Sequence, residues 1–109
     1  MRDSYLGEFE QIVLLAILRL NDEAYAVPIR DEIETRTARS VARGALYTAL
    51  DRLETKHFLT SKMSEPLAER GGRSRRYFAV TPAGVSALRE SRQALLQLWT
   101  GLESRLERS

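Results

Sequence analysis

Cysteine is absent from the 109 residues, and histidine occurs once, as His57. Disulfides and thiolate metal sites are thereby excluded, as is any centre built from several histidines. Long apolar runs are missing too. The longest, Ile12-Val13-Leu14-Leu15-Ala16-Ile17-Leu18, is far shorter than the roughly 20 residues of a membrane span. It has neither a basic n-region nor a small-residue cleavage site, so it lacks the form of a signal peptide. A cytoplasmic, reducing setting is the simplest expectation, with no membrane partner. An excess of one charge is also lacking, with 17 Lys+Arg against 15 Asp+Glu. That balance implies no nucleic acid by itself, and the placement of the charges has to decide. No glycine-rich loop joins Lys and Ser/Thr into a P-loop, and Gly84-Val85-Ser86-Ala87-Leu88 lacks the closing glycine of a nucleophile elbow. The sequence therefore points to no enzyme class and to no cofactor.

What is present reads as one small, mainly helical domain. Apolar residues from about Leu6 to Leu20 cover most of a helix's circumference: Leu6, Phe9, Val13, Ala16, Ile17 and Leu20 on one side, with Ile12, Leu14, Leu15 and Leu18 elsewhere. Such a helix must be covered on more than one side, and a second subunit is the natural cover in a chain this short. Pro28 suits the first position of a second helix that ends near Arg36-Thr37, with Asp31, Glu32 and Glu34 in its early turns. A third helix is expected from about Ala42 to Lys56. Leu46, Leu50 and Leu53 form its buried stripe, and Arg43, Tyr47, Thr48 and Arg52 lie off that stripe. Asp51 is expected to pair with a neighbour such as Arg52. Two helices joined by a short turn, the second carrying a basic outer side, make a helix-turn-helix.

Two strand-like runs follow, 58–64 and 75–80, around a loop marked by Pro66 and Gly71-Gly72. A helix-turn-helix followed by such a hairpin is a winged helix. Thr81 then caps a last helix with Pro82 in its first position. No proline interrupts it before about Leu106, so at 1.5 Å per residue it should reach about 39 Å. Leu88, Leu95 and Leu102 repeat at seven-residue intervals with Leu98 between, and Trp99 and Leu106 widen the stripe, which suggests a helix–helix seam. The expected layout is a winged helix-turn-helix over 1–80 and a long C-terminal dimerisation helix over 81–109.

Basic residues concentrate where DNA would lie. Arg36, Arg39, Arg43, Arg52, Lys56 and Lys62 stand against only Asp51 and Glu54 between Thr35 and Lys62, and the wing loop adds Arg70, Arg73, Arg75 and Arg76. Local excess of this kind is what phosphate contact needs. The candidate DNA-contacting residues are Arg39, Ser40, Arg43, Gly44, Tyr47, Thr48, Arg52, Arg73, Arg75 and Arg76. A competing reading is a winged helix used purely for protein interaction, which requires no salt-dependent affinity for DNA.

Leu46-Tyr47, Ala49-Leu50 and Arg52-Leu53-Glu54, followed by Gly71-Gly72-Arg73, Arg75-Arg76-Tyr77-Phe78 and Thr81-Pro82-Ala83-Gly84, together resemble the PadR family of bacterial transcriptional regulators. Leu6-Gly7 and Tyr25 are similar to it as well. The resemblance implies a homodimeric winged-helix repressor that binds a near-palindromic operator. It implies that the N-terminal helix, including Leu6 and Phe9, packs on the partner's C-terminal helix with its Leu88, Leu95, Leu98, Trp99, Leu102 and Leu106. In some short members a planar aromatic effector stacks at the dimer interface, so Trp99 is a candidate for ligand contact as well as for packing. Ala42-Arg43-Gly44-Ala45 replaces the family's common Ser-Pro-Gly-Thr, which implies a different operator preference.

Overall fold

A computed structural model describes residues 6–68 and 71–107. The elements run α1 (Glu8–Leu20), a single 3-10 turn (Asn21–Glu23), α2 (Ala26–Thr37), α3 (Arg43–Thr55), β1 (Leu59–Met63), β2 (Arg76–Val80), α4 (Pro82–Trp99) and α5 (Glu103–Leu106). β1 and β2 form one antiparallel hairpin in which Leu59 faces Val80 and Met63 faces Arg76. The layout is the mainly helical winged helix expected from the sequence.

The core lies where α1, α2 and α3 meet the hairpin. α1 contributes Val13, Leu14, Ala16 and Ile17, α2 contributes Ile29 and Ile33, and α3 contributes Leu46, Ala49, Leu50 and Leu53, with Phe58, Leu59 and Phe78 closing it beneath the strands. Leu6 precedes α1, which starts at Glu8 and not at Leu6, and is buried in this same core. It therefore leaves little surface for the partner contact expected of it. Phe9 packs partly against the core as well. The large apolar side chains of α1 that stay outside are Leu15 and Leu18.

α2 starts two residues earlier than Pro28 suggests. Tyr25, with an extended backbone, is its N-cap, and the Ile29 N–H donates to the Tyr25 carbonyl at 3.1 Å. Pro28 is tolerated in the first turn because the N–H groups there have no intrahelical partner to lose. The acids of α2 therefore lie beyond its first turn and act through pairs instead, Glu32 with Arg36 and Glu34 with Arg30.

α3 ends in a Schellman turn. His57 takes the left-handed conformation (φ 67°), its N–H donates to the Glu54 carbonyl at 3.0 Å, and the Phe58 N–H donates to that of Leu53 at 2.9 Å. Thr81 ties this turn to α4. Its hydroxyl donates to the His57 carbonyl at 2.7 Å and accepts from the Gly84 N–H at 3.0 Å.

The last helix is shorter than expected. α4 stops at Trp99, and Gly101 sits at φ 87°, a conformation open to glycine and costly for other residues. The Thr100 N–H and hydroxyl both donate to the Leu96 carbonyl, and the Gly101 N–H, freed by the break, donates to Glu103 Oε1. Leu102 is thus the N-cap of α5 and not part of a continuous heptad seam with Leu88 and Leu95. Leu88 itself packs partly against the core.

Candidate nucleic-acid interface

The turn that aims α3 is fixed from α2. Arg30 Nε donates to the Val41 carbonyl at 2.8 Å, and Glu34 Oε2 accepts from the Val41 N–H at 2.8 Å. Val41 is itself buried. One residue is therefore held by its side chain and by both of its backbone polar groups, just before α3 begins at Arg43. Ala42 is the N-cap and offers no side-chain bond to the helix start.

With Leu46, Ala49, Leu50 and Leu53 turned inward, the outer side of α3 carries Arg43, Gly44, Tyr47, Thr48 and Arg52, all exposed. This surface has two margins. Tyr47 borders a depression shared with Tyr25, Met63, Arg73 and Arg75, between the start of α2 and the wing. Thr48 and Arg52 border a second, shared with Glu8 and Phe9 at the start of α1. Arg39 and Ser40 are exposed in the turn. Arg39 reaches Glu8 at 3.1 Å, an exposed pair that a phosphate can replace at little cost.

The two adjacent wing arginines go opposite ways. Arg75 lays its guanidinium over the Tyr25 ring, 4.1 Å from the centroid. The neighbouring Tyr77 hydroxyl, above all, raises its already high pKa, so it stays a cation. Arg76 turns inward. It bonds Glu54 of α3, reaches Asp51 at 3.5 Å and donates to the Ser61 hydroxyl at 3.2 Å, while that hydroxyl donates to Glu54 at 2.8 Å. Asp51 therefore pairs across to the wing, not with Arg52. Arg76 joins the hairpin to α3, and its charge is largely committed there. Arg73 is exposed near the loop tip, and Arg70 lies outside the described residues.

Counting charges along the sequence overstates the positive face. Lys56 is held by Glu10 at 2.9 Å, Arg36 by Glu32, Arg39 by Glu8 and Arg76 by Glu54. The partners Glu8, Glu10 and Glu32 lie outside the counted segment. Among the described residues no cluster of histidine and acids could hold a metal ion, and no helix is long and apolar enough to cross a membrane.

Residues 14–90 match the transcriptional regulator PadR-like family. The chain belongs to the PadR-like family. It is 36% identical over 78 residues to transcriptional regulator Rv3488 of Mycobacterium tuberculosis, covering 72% of this chain and 68% of that one. A PadR-like transcription factor from Bacteroides fragilis superposes with a TM-score of 0.72 at 28% identity, over 95% of this chain and 92% of the other. A PadR family transcription regulator from Clostridium difficile R20291 shares the fold, with a TM-score of 0.71 over 90% and 98% of the two chains at 24% identity. PadR-family members are transcriptional regulators, not enzymes.

In this PadR-family chain three features escaped the sequence reading. Tyr25 was legible only as a similarity, although it carries Arg75. Leu15 and Leu18, which the sequence sets apart for a second subunit to cover, meet Leu88, Leu95, Leu96 and Trp99 along a groove between α1 and α4 that also includes Arg89 and Arg92. A helical wheel offers the signal for the first pair, since Gln11, Leu15 and Leu18 share one face. The Arg30–Glu34 grip on Val41 had no such signal.

Proposed function

We propose that this PadR-family chain is a homodimeric repressor that reads a near-palindromic operator with α3 in the major groove. The reading rests above all on the outer surface of α3. Four residues with donors for phosphate or base edges, Arg43, Tyr47, Thr48 and Arg52, project from a helix whose other side is sealed in the core. Gly44 stands in open space, where a Cβ would meet nothing of the chain within 4 Å, so that side of the helix start is free for a DNA backbone. Arg39 and Ser40 flank the helix start. Arg73 and Arg75 reach the phosphates or the minor groove from the wing, and Arg76 contributes through the wing's placement.

Residues 1–80 form the DNA-binding unit, and the region from 81 on, with α4 and α5, serves dimerisation. The partner occupies the groove between α1 and α4, where Leu15, Leu18, Leu95, Leu96 and Trp99 are each about 40–50% exposed in the single chain. Leu98, Leu102 and Leu106 extend this apolar surface. A two-fold dimer sets its recognition helices about 34 Å apart, one turn of DNA. A small aromatic effector stacked on Trp99 in the same groove would shift the spacing and release the operator. Trp99 is the single tryptophan of the chain, so its fluorescence reports such a ligand directly.

The test is footprinting on the DNA upstream of the chain's own coding sequence, repeated across salt concentrations. Two protected half-sites one turn apart, with affinity falling steeply as salt rises, are expected. Absence of any salt-dependent protection would instead favour a protein-interaction module.

A further inference from the structure

We propose that Tyr25 is a positioning residue for DNA binding, a platform that holds the Arg75 guanidinium ready for a backbone phosphate. This rests on the reading that the wing of this chain contacts DNA.

The placement of Tyr25 is set by backbone geometry. As the N-cap of α2 it accepts the Ile29 N–H through its carbonyl, which fixes where its ring starts. The Phe78 N–H donates to the Ala24 carbonyl at 2.8 Å, so β2 is pinned beside the residue that precedes Tyr25. Side chains alternate along an extended strand, so residues 75 and 77 share one side and 76 and 78 the other. Arg76 and Phe78 accordingly meet α3 and the core, the Arg76 guanidinium 4.9 Å from the Phe78 centroid. Arg75 and Tyr77 flank Tyr25, whose ring meets Tyr77 edge-on with centroids 5.3 Å apart. The Arg75 N–H donates to the Ser64 hydroxyl at 2.9 Å, which steadies the other end of the residue.

Stacking suits a group that must still bind something. A guanidinium lies with its face on an aromatic ring while its N–H donors point outward in its plane. The donors along the guanidinium edge stay available to a phosphate. An arginine ordered before binding avoids the entropy loss that a mobile one incurs on capture. Tyr25 and Arg75 also border the depression reached by Tyr47, so the platform and the recognition helix address the same space.

The test is a double-mutant cycle on the full-length protein, read by anisotropy of a fluorescein-labelled mixed-sequence duplex across salt concentrations. Arg75→Ala should weaken binding and lower the log–log salt slope by about 0.9, one phosphate contact. Tyr25→Leu should weaken binding about two- to fivefold when Arg75 is present and leave it unchanged in the Arg75→Ala background. Tyr25→Phe should bind like the parent, because it keeps the ring. Arg75→Lys keeps the charge but not the flat fork, so it should retain the salt slope, lose affinity, and become insensitive to Tyr25→Leu. Equal losses from Tyr25→Leu in both backgrounds would overturn the platform, including the case in which that variant merely unfolds. A parental slope and affinity for Arg75→Ala would overturn the premise that the wing contacts DNA, and the proposal with it.

Discussion

A Cβ placed on Gly84 would lie 2.5 Å from the Phe58 carbonyl oxygen and 2.8 Å from a Val80 methyl. The start of α4 thus crosses the turn that ends α3 at a distance only a glycine permits, and Thr81 bonds both sides of the crossing. This gives the Thr81-Pro82-Ala83-Gly84 sequence a physical meaning: cap, helix start and close approach in one turn. The nearest atom is backbone, so it cannot swing aside. Gly84→Ala should cost about 1–3 kcal/mol by overpacking. For a domain of this size the melting temperature then falls by several degrees, at about 4–8 °C per kcal/mol. A variant that melts like the parent would remove the close approach.

Glu10 serves two partners at once. Its carboxylate accepts from the Gly7 N–H at 3.0 Å, closing the start of α1, and holds the Lys56 ammonium at 2.9 and 3.0 Å. The side chains are only 12% and 19% exposed, so water replaces little of what is lost. Glu10→Ala removes the carboxylate that holds the Lys56 ammonium and strands a helix-start donor, and should cost about 2 kcal/mol. Lys56→Met leaves Glu10 bonded to Gly7 and should cost clearly less. Urea unfolding of the two variants decides the matter, and equal costs would mean that the Gly7 bond contributes nothing.

Arg76 and Arg43 separate structural charge from binding charge. Arg76→Ala removes the bond from β2 to Glu54 and Ser61 at a half-exposed position, which should lower stability by about 1 kcal/mol. Its effect on the salt slope of DNA binding should be small, because its charge is already neutralised by Glu54 and Asp51. Arg43→Ala, at the exposed start of α3, should leave the melting temperature nearly unchanged and reduce operator affinity. Reversal of that pattern in paired melting and binding experiments would reassign the two arginines.

Local patterns carried most of the fold. The Leu46, Leu50, Leu53 spacing marked α3, and Thr81-Pro82 marked the start of α4 to the residue, because each depends on neighbours within a turn or two. The charge pairs did not show in the same way. Lys56 and Glu10 stand 46 residues apart, and the link from Arg76 to Glu54 forms only after the hairpin folds onto α3. The break at Thr100-Gly101 was hidden because a single glycine in a run of good helix formers costs only about 1 kcal/mol and does not compel a stop. The family resemblance gives Leu6 to the partner contact, within a helix taken to start at about Leu6. Once Gly7 is the N-cap, Leu6 leaves the helix and enters the core.

The groove between α1 and α4 gives the dimer a sharp test. Leu15 is 50% and Leu95 52% exposed in the single chain, so a charge at either position does not enter the core. Leu15→Glu and Leu95→Glu should each keep the parental helical content and melt as folded monomers, whereas the parent should sediment as a dimer. Operator affinity should then drop by far more than one phosphate contact explains, because a monomer engages one half-site and loses the effective concentration supplied by the second. Leu98 is 74% exposed but does not line the groove, so Leu98→Glu should disturb the dimer less. A dimer that survives Leu15→Glu and Leu95→Glu but not Leu98→Glu would move the interface out of the groove to the neighbouring face of α4 that carries Leu98.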